Sequence, residues 1–496
     1  VQVESFLENS AAAYPDKIAL IFGPQRLTYR EIDARANRLA RALMSAGVDR
    51  GDRVVIYLDN SVEAVISIFA VLKAGGVLAF VNSTTKADKL EYIVTNCGAR
   101  AVLTDDLRAP IVKACGSGAA VLDAALEYPG PDTAPGRAGI DMDLAALIYT
   151  SGTMGKPKGV MLTHLNLVSA TRSIVSYLEN TRDDVILNVL PLSFTYGLSQ
   201  VLTAFHVSAT LVLERSFAYP HAILSTIARE RVTGIAIVPT ISAILLQFNL
   251  PAYRLSSLRY ITNAAAAMPV EHIRALRKAL PHVKIYPMHG QTECIRTTYL
   301  PPDQIDIRPS SVGRGMPNVE LYLIDEFGNR VQPGGIGEMV VRGSNVMKGY
   351  WGMPEETARA LRPGPNPWEQ VLYTGDLFRM DDEGYLYFVS RSDEIIKTRG
   401  EKVSPKEVEE VLYRLDGVVE AAVFGVPDPI LGEAVKAVLT LRPGCTLTSR
   451  DVLQHCAAAL EDFMVPKLVE FRESIPKTPS GKIARRELAS AAGGRR

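Results

Sequence analysis

The chain has 496 residues, 47% of them apolar, and is too long for one compact core, so two or three domains are expected. Lysine plus arginine equals aspartate plus glutamate at 54 each, which leaves no basic field to condense on nucleic acid or anionic lipid. The five cysteines and seven histidines are scattered, without disulfide-framework or zinc-ligand spacing, so a reducing cytoplasm is the expected setting.

The first residues, VQVESFLENS, lack the cationic start and apolar core of a signal peptide. From Leu27 to Val81, helical spacing alternates with short β-rich runs, as in layered α/β structure. The most apolar window, Val62 to Val81, is broken by Glu63, Lys73 and the Gly75-Gly76 pair, so it reads as a buried helix and strand and no transmembrane segment is expected. LAALIYT, from Leu144, reads as a buried strand, and Thr163 with LNLVSATRSIV as a capped helix. A second α/β unit follows: VILNVLPLS, ATLVLE, the helix ILSTIARERV, the strand GIAIVP, then the helix VEHIRALRKAL leading into KIYPMHG. From Val319 the texture turns to strand alternation with Gly/Pro turns, a smaller β-rich unit. The charged, turn-prone SRSDEIIKTRGEKVSPK from Ser390 is a candidate hinge before a final α+β region of about 100 residues.

Between LAALIYT and the capped helix lies TSGTMGKPKG. Glycines at 152, 155 and 159 let backbone amides turn inward, Thr150, Ser151 and Thr153 add hydroxyl donors, and Lys156 and Lys158 add charge. This composition suits a polyphosphate, read here in a strand, loop, helix context. It is not a Walker-type loop, because only two residues separate Gly152 from Gly155-Lys156, and Pro157 follows.

Further segments follow in order: PLSFTYG from Pro191, MHGQTE from Met288, GEMVVRG from Gly337, YTGD from Tyr373, SRSDEIIKTRG from Ser390 and PKTPSGKI from Pro476. Together with the glycine-rich loop they closely resemble the signature set of the adenylate-forming enzymes, the superfamily of acyl- and aryl-CoA synthetases, peptide-synthetase adenylation domains and luciferases. The resemblance runs from the loop almost to the C-terminus and is closest in pattern to AMP-forming acyl-CoA ligases. It implies a large N-terminal domain of two layered α/β subdomains and a β-rich subdomain, residues 1–390. A hinge at 391–394 and a mobile α+β C-terminal domain, 395–496, follow.

The resemblance also implies roles. Glu293 would hold Mg2+ on the nucleotide phosphates and Thr292 would touch the α-phosphate, with His289 and Gly290 beside the adenine, where His289 stands in place of the usual tyrosine. Asp376 would accept the ribose hydroxyls, joined by Arg391. Asp393 would be the hinge pivot, and Gly400 and Lys402 would line the path of the thiol, with Lys397 and Arg399 nearby for CoA phosphates. Lys482 would reach from the C-terminal domain to the reacting carboxylate and α-phosphate.

The implied reaction joins a carboxylic acid to ATP, releasing pyrophosphate, and then passes the acyl group to a thiol, first of all coenzyme A. The phosphopantetheine of a separate carrier protein is an alternative acceptor. A catalytically silent nucleotide-binding relative is another reading, as is luciferase-like oxidation. The acid pocket is expected among Phe194, Thr195, Val238, Thr240, Asn263, Ala264, Ala265, Ala266 and Met288. Thr195 stands where amino-acid-activating domains usually carry an aspartate, and a neutral residue cannot partner a half-buried ammonium, so a plain aryl or aliphatic acid is expected. The protein is expected to act as a monomer or homodimer.

Overall fold

The computed structural model describes residues 1–136, 139–150, 157–399, 401–478 and 481–493, apart from the side chain of residue 486. Among them the chain builds four sheets. A six-stranded sheet has at its centre Arg53–Leu58 and Val77–Asn82, paired in parallel. Both strands are nearly continuous apolar runs because helices cover both faces of a parallel sheet. A nine-stranded sheet runs in parallel through Thr210–Leu213, Val185–Asn188, Gly234–Ile237, Tyr260–Asn263 and Lys284–His289. A five-stranded antiparallel sheet of Val319–Ile324, Ile336–Gly343, Leu361–Pro363, Gln370–Met380 and Leu386–Arg391 follows. The C-terminal five-stranded sheet is led by the long hairpin Val418–Asp428 and Gly432–Leu441. The fold is thus α/β with a β-rich unit and a small α+β unit, as the sequence implies.

Local chemistry explains the helices. Thr28, Thr163 and Thr448 each close a capping box at the start of Tyr29–Ser45, His164–Leu178 and Ser449–Ala459, satisfying amides that would otherwise lack partners. The window from Val62 divides, as expected, into the buried helix Val62–Lys73 and the strand Val77–Asn82. Phe69 on that helix is fully buried against Phe205, and such burial contributes about 1.5–3 kcal/mol. Among the described residues no helix is long and apolar enough to cross a membrane.

One reading needs correction. The glycine-rich loop is followed by a strand before any helix: Lys158–Thr163 pairs antiparallel with Leu144–Thr150, Thr150 opposite Lys158. The loop therefore joins the arms of a β-hairpin, and the capped helix begins at the far end of the second arm. A helix N-terminus does not serve this loop. Val160 and Leu162 are buried and pair into the sheet, which outweighs the turn-forming glycines beside them.

The largest hydrophobic cluster draws on residues from Val3 to Leu386, with smaller ones around Val55 and Val340, while residues from Ile396 onward pack into separate clusters around the C-terminal sheet. Polar and aromatic contacts join the two regions. Ser404 Oγ donates to the Val389 carbonyl at 2.6 Å, Lys406 Nζ to the Phe388 carbonyl at 2.9 Å, and His272 meets Tyr413 edge to face.

Candidate active site

Strand ends and the loops after them gather the charged residues. Asp376, in the strand Gln370–Met380, is 3% exposed. Arg391, directly opposite on Leu386–Arg391, donates from Nη1 to Asp376 Oδ1 at 2.9 Å, while Gln291 Nε2 (2.7 Å) and His289 Nε2 (2.9 Å) meet Oδ2. Burial pushes the Asp376 pKa up, but the hydrogen bond and charge of His289 and the charge of Arg391 outweigh it, and the carboxyl stays below its usual range. A carboxylate has about four acceptor sites. With three engaged by His289, Gln291 and Arg391, one remains open. His289 is held by Thr297 Oγ1 at its other nitrogen, 2.8 Å away, and packs against Phe378 and Phe388.

A second polar group is built around Glu293, the residue expected to face the phosphates. Tyr350 donates its hydroxyl to Glu293 Oε1 at 2.8 Å, and the Glu293 carbonyl accepts from Met347 N at 2.8 Å, so loop and carboxylate direction are both fixed. Burial, then the adjacent Glu293, push the Tyr350 phenol far above its ordinary pKa, so it remains a donor. Lys158 lies 5.1 Å above the Tyr350 ring and pairs with Glu356. Gly290 has no room for a side chain: a Cβ would fall 2.5 Å from the Ile295 carbonyl oxygen. Among the described residues no three His, Cys, Asp or Glu side chains group to hold a metal. A single carboxylate at the phosphate side is a donor set that fits Mg2+, which takes most of its ligands from phosphate and water.

Lys482 enters from the C-terminal domain on a tight hairpin. Lys477 bridges Ile483, Thr478 N donates to the Lys482 carbonyl at 2.7 Å, and Gly481 turns at φ +81°. The hairpin is seated on the other domain: Thr240 Oγ1 donates to the Gly481 carbonyl at 3.3 Å, and Val238 lies beside it. The Lys482 side chain meets water at the mouth of the cleft, yet protein encloses it. That enclosure lowers its pKa; Asp376 and Glu293 oppose the shift, and Arg391 adds to it. Arg485, three residues on, forks onto Glu409 at 2.7 and 2.8 Å and lies 3.8 Å from Glu394, beside Asp393, so the lysine hairpin is braced against the 391–394 segment. Asp393 itself accepts from Arg391 Nε at 3.2 Å.

The residues expected to line the acid pocket come from three strand ends of one sheet and from the starts of the helices Thr195–His206 and Pro239–Leu245. Val238, Asn263, Ala264 and Met288 are buried, while Phe194, Thr195, Thr240 and Ala265 are partly open and Ala266 is exposed. Ala265 takes φ +73°, the left-handed conformation that glycine adopts without strain. Asn263 donates to the Ala266 carbonyl at 2.9 Å, and its buried Oδ1 has no partner.

The structure thus joins His289, Asp376 and Arg391, sets Glu293 and Lys158 on the same Tyr350, and seats the hairpin that carries Lys482 on Val238 and Thr240. Thr292 and Thr150 lie in the same loop and hairpin, and Lys402 sits on the short strand Glu401–Val403, facing solvent. Ser151, Gly152, Thr153, Gly155, Lys156 and Gly400 lie outside the described residues. Tyr350, Glu356 and Gln291 were missed by sequence reasoning. Gln291 stood inside MHGQTE and was passed over, while Tyr350 and Glu356 reach the site from a loop and a short helix that carry no motif.

Residues 7–351 match the family model described as AMP-binding enzyme, and residues 407–482 that of the AMP-binding enzyme C-terminal domain. A feruloyl-CoA synthase from Amycolatopsis is 36% identical, over 96% of this chain and 96% of its own length. A long-chain-fatty-acid–CoA ligase from Bacillus subtilis is 32% identical, over 98% and 94%. The crystal structure of the anthranilate CoA ligase AuaEII with anthranoyl-AMP superposes with a TM-score of 0.91 at 30% identity, covering 99% of this chain and 97% of that one. With both family models matched in order, and relatives alike over nearly their whole length, the protein belongs to the AMP-binding enzyme family, within the adenylate-forming superfamily that its motifs resemble.

Proposed function

We propose that this cleft activates a carboxylic acid lacking an α-amino group, with Lys482, Thr292 and Glu293 serving the adenylation step and coenzyme A taking the acyl group. The protein is an ATP-dependent, AMP-forming acid–thiol ligase, and ATP, Mg2+ and coenzyme A are what it works with. The observation that supports the site assignment is the seating of the Lys482 hairpin on the other domain, where Thr240 Oγ1 donates to the Gly481 carbonyl.

In the first half-reaction the acid carboxylate attacks the α-phosphorus and pyrophosphate leaves, so the protein's work is positioning and charge. Asp376 and Arg391 orient the ribose, the ammonium of Lys482 faces the charge developing between carboxylate and α-phosphate, and Thr292 offers a hydroxyl there. Mg2+, held by Glu293, would neutralise phosphate charge as pyrophosphate departs. In the second half the C-terminal domain, 395–496, swings about 391–394 on Asp393, Lys482 withdraws, and the segment with Gly400 and Lys402 takes its place beside the adenylate. Glycine at 400 would leave the thiol arm room to pass. Thr195, at the pocket's helix start, supports a plain acid over an amino acid. A cytoplasmic location and action as a monomer or homodimer belong to the same proposal.

Exchange of labelled pyrophosphate into ATP, across aryl, short-chain and long-chain acids and amino acids, tests this. Exchange with one class of plain acid is the expected result, followed by thioester formation with free coenzyme A. Exchange with amino acids alone would overturn the substrate assignment. Thioester only on an added carrier protein would overturn the acceptor. Folded protein that binds ATP and exchanges with nothing would point to a silent relative.

A further inference from the structure

Arg296 stands apart from every other charge near the cleft. It is 3% exposed, its Nε has no hydrogen-bond partner, and no carboxylate pairs with it among the described residues. Its guanidinium lies 4.8 Å from the centre of the Tyr196 ring. That ring supplies a π face and no acceptor oxygen for a planar fork of five N–H groups. Burial pushes the Tyr196 hydroxyl up to about 12, so this neighbour is neutral as well, and burial raises Tyr177 likewise.

The surroundings place Arg296 beside the acid pocket. Tyr196 follows Thr195 at the start of the helix Thr195–His206, and its hydroxyl meets Thr262 Oγ1 at 2.8 Å, one residue before Asn263. Tyr177, whose titration Arg296 also influences, donates to Met288 Sδ at 3.1 Å. The positioning is enforced by the backbone. Ile295, β-branched, is turned to φ +60°, and Asn345 Nδ2 holds the carbonyls of Cys294 and Arg296 at 2.7 and 2.8 Å. The chain accepts a strained residue to bring a cation into an apolar pocket wall.

We propose that Arg296 is a specificity residue whose partner arrives with the substrate: the acid carries a second carboxylate, which the guanidinium binds while the first is activated beside Lys482. This rests on the acid-ligase reading above. A carboxylate matches the guanidinium fork with two parallel hydrogen bonds, and it neutralises a charge that the pocket otherwise leaves buried and unpaired. The reaction is unchanged: one carboxylate oxygen bonds to the α-phosphorus as pyrophosphate leaves, and the other carboxylate is not altered.

The test compares straight-chain and aromatic diacids with their monoamides, which keep length and shape but lose one charge. The readout is kcat/KM for pyrophosphate exchange in the wild type, R296M and R296K. The wild type should prefer the diacid by at least about ten-fold. In R296M the preference should vanish, with kcat/KM for the diacid falling about 100-fold, mainly through KM, while the KM for ATP holds. R296K, which keeps the charge without the fork, should retain part of the preference. Because R296M removes an unpaired buried charge, its melting temperature should not fall, which separates lost recognition from lost folding. Equal use of diacid and monoamide by the wild type, or a preference that survives in R296M, would overturn the proposal. Absence of exchange with every acid would instead bring down the ligase reading beneath it.

Discussion

The two sides of the cleft treat charge in opposite ways. On the nucleotide side, Asp376 is satisfied by His289, Gln291 and Arg391, Glu293 by Tyr350, and Lys158 by Glu356. On the proposed acid side, the Nε of Arg296 and the Oδ1 of Asn263 are buried without hydrogen-bond partners. The first arrangement holds its geometry before any ligand arrives and suits a ligand common to a whole family. The second keeps polar groups in reserve, and such groups reject ligands that fail to match them. One side is built for constancy and the other for choice.

The sharpest way to break this division is Lys482→Ala, since Lys482 spans both sides. Loss of one group that stabilises developing charge should lower the pyrophosphate-exchange rate about 100- to 1000-fold, with a much smaller effect on thioester formation from preformed acyl-adenylate. Equal losses in the two half-reactions, followed separately, would contradict its assignment to the first. Next is Asp376→Asn, which removes charged hydrogen bonds worth about 1.5–3 kcal/mol each. The KM for ATP should rise about 10- to 100-fold and that for the acid should not; a rise in both would dissolve the division.

A pH experiment sharpens the picture at the seam between the domains. His272 is bonded to Ser242 and packed on Tyr413, and burial lowers its pKa from 6.5 to about 4. Between those values the unfolded chain takes up a proton that the folded one refuses, so stability falls as pH drops from 6.5 towards 4 and is unaffected by this group above that window. In His272→Gln the denaturant midpoint should decline less between pH 7 and pH 5 than in wild type. The smallest effect belongs to Ala265→Gly. Relief of a left-handed alanine, offset by the greater freedom of glycine in the unfolded chain, should change stability by no more than about 1 kcal/mol, seen as a slightly raised melting temperature.

Much of the site was legible in the sequence, for a physical reason. Asp376 and Arg391 are cross-strand partners, and each sat in a segment with enough fixed residues to be placed. The helix beginning at His164 was announced by its Thr163 cap. The strand Lys158–Thr163 was not, because its glycine and lysine suggest a turn and only pairing with Leu144–Thr150 reveals its partner. Tyr350 and Glu356 were hidden because long-range folding delivers them from a stretch with no polar pattern. Arg296 left one faint trace: it is the single charge in CIRTTYL, an otherwise uncharged run, although a lone arginine is solvated far more often than buried.

The seating of the Lys482 hairpin on Val238 and Thr240 has a kinetic meaning. In the proposed cycle, a roof resting on the acid pocket's own wall would close after the acid has entered and lift before the thiol arm comes in. The energy-rich mixed anhydride would then be made in confinement and meet the thiol through the same rearrangement that would otherwise free it, so that little adenylate would be lost to hydrolysis.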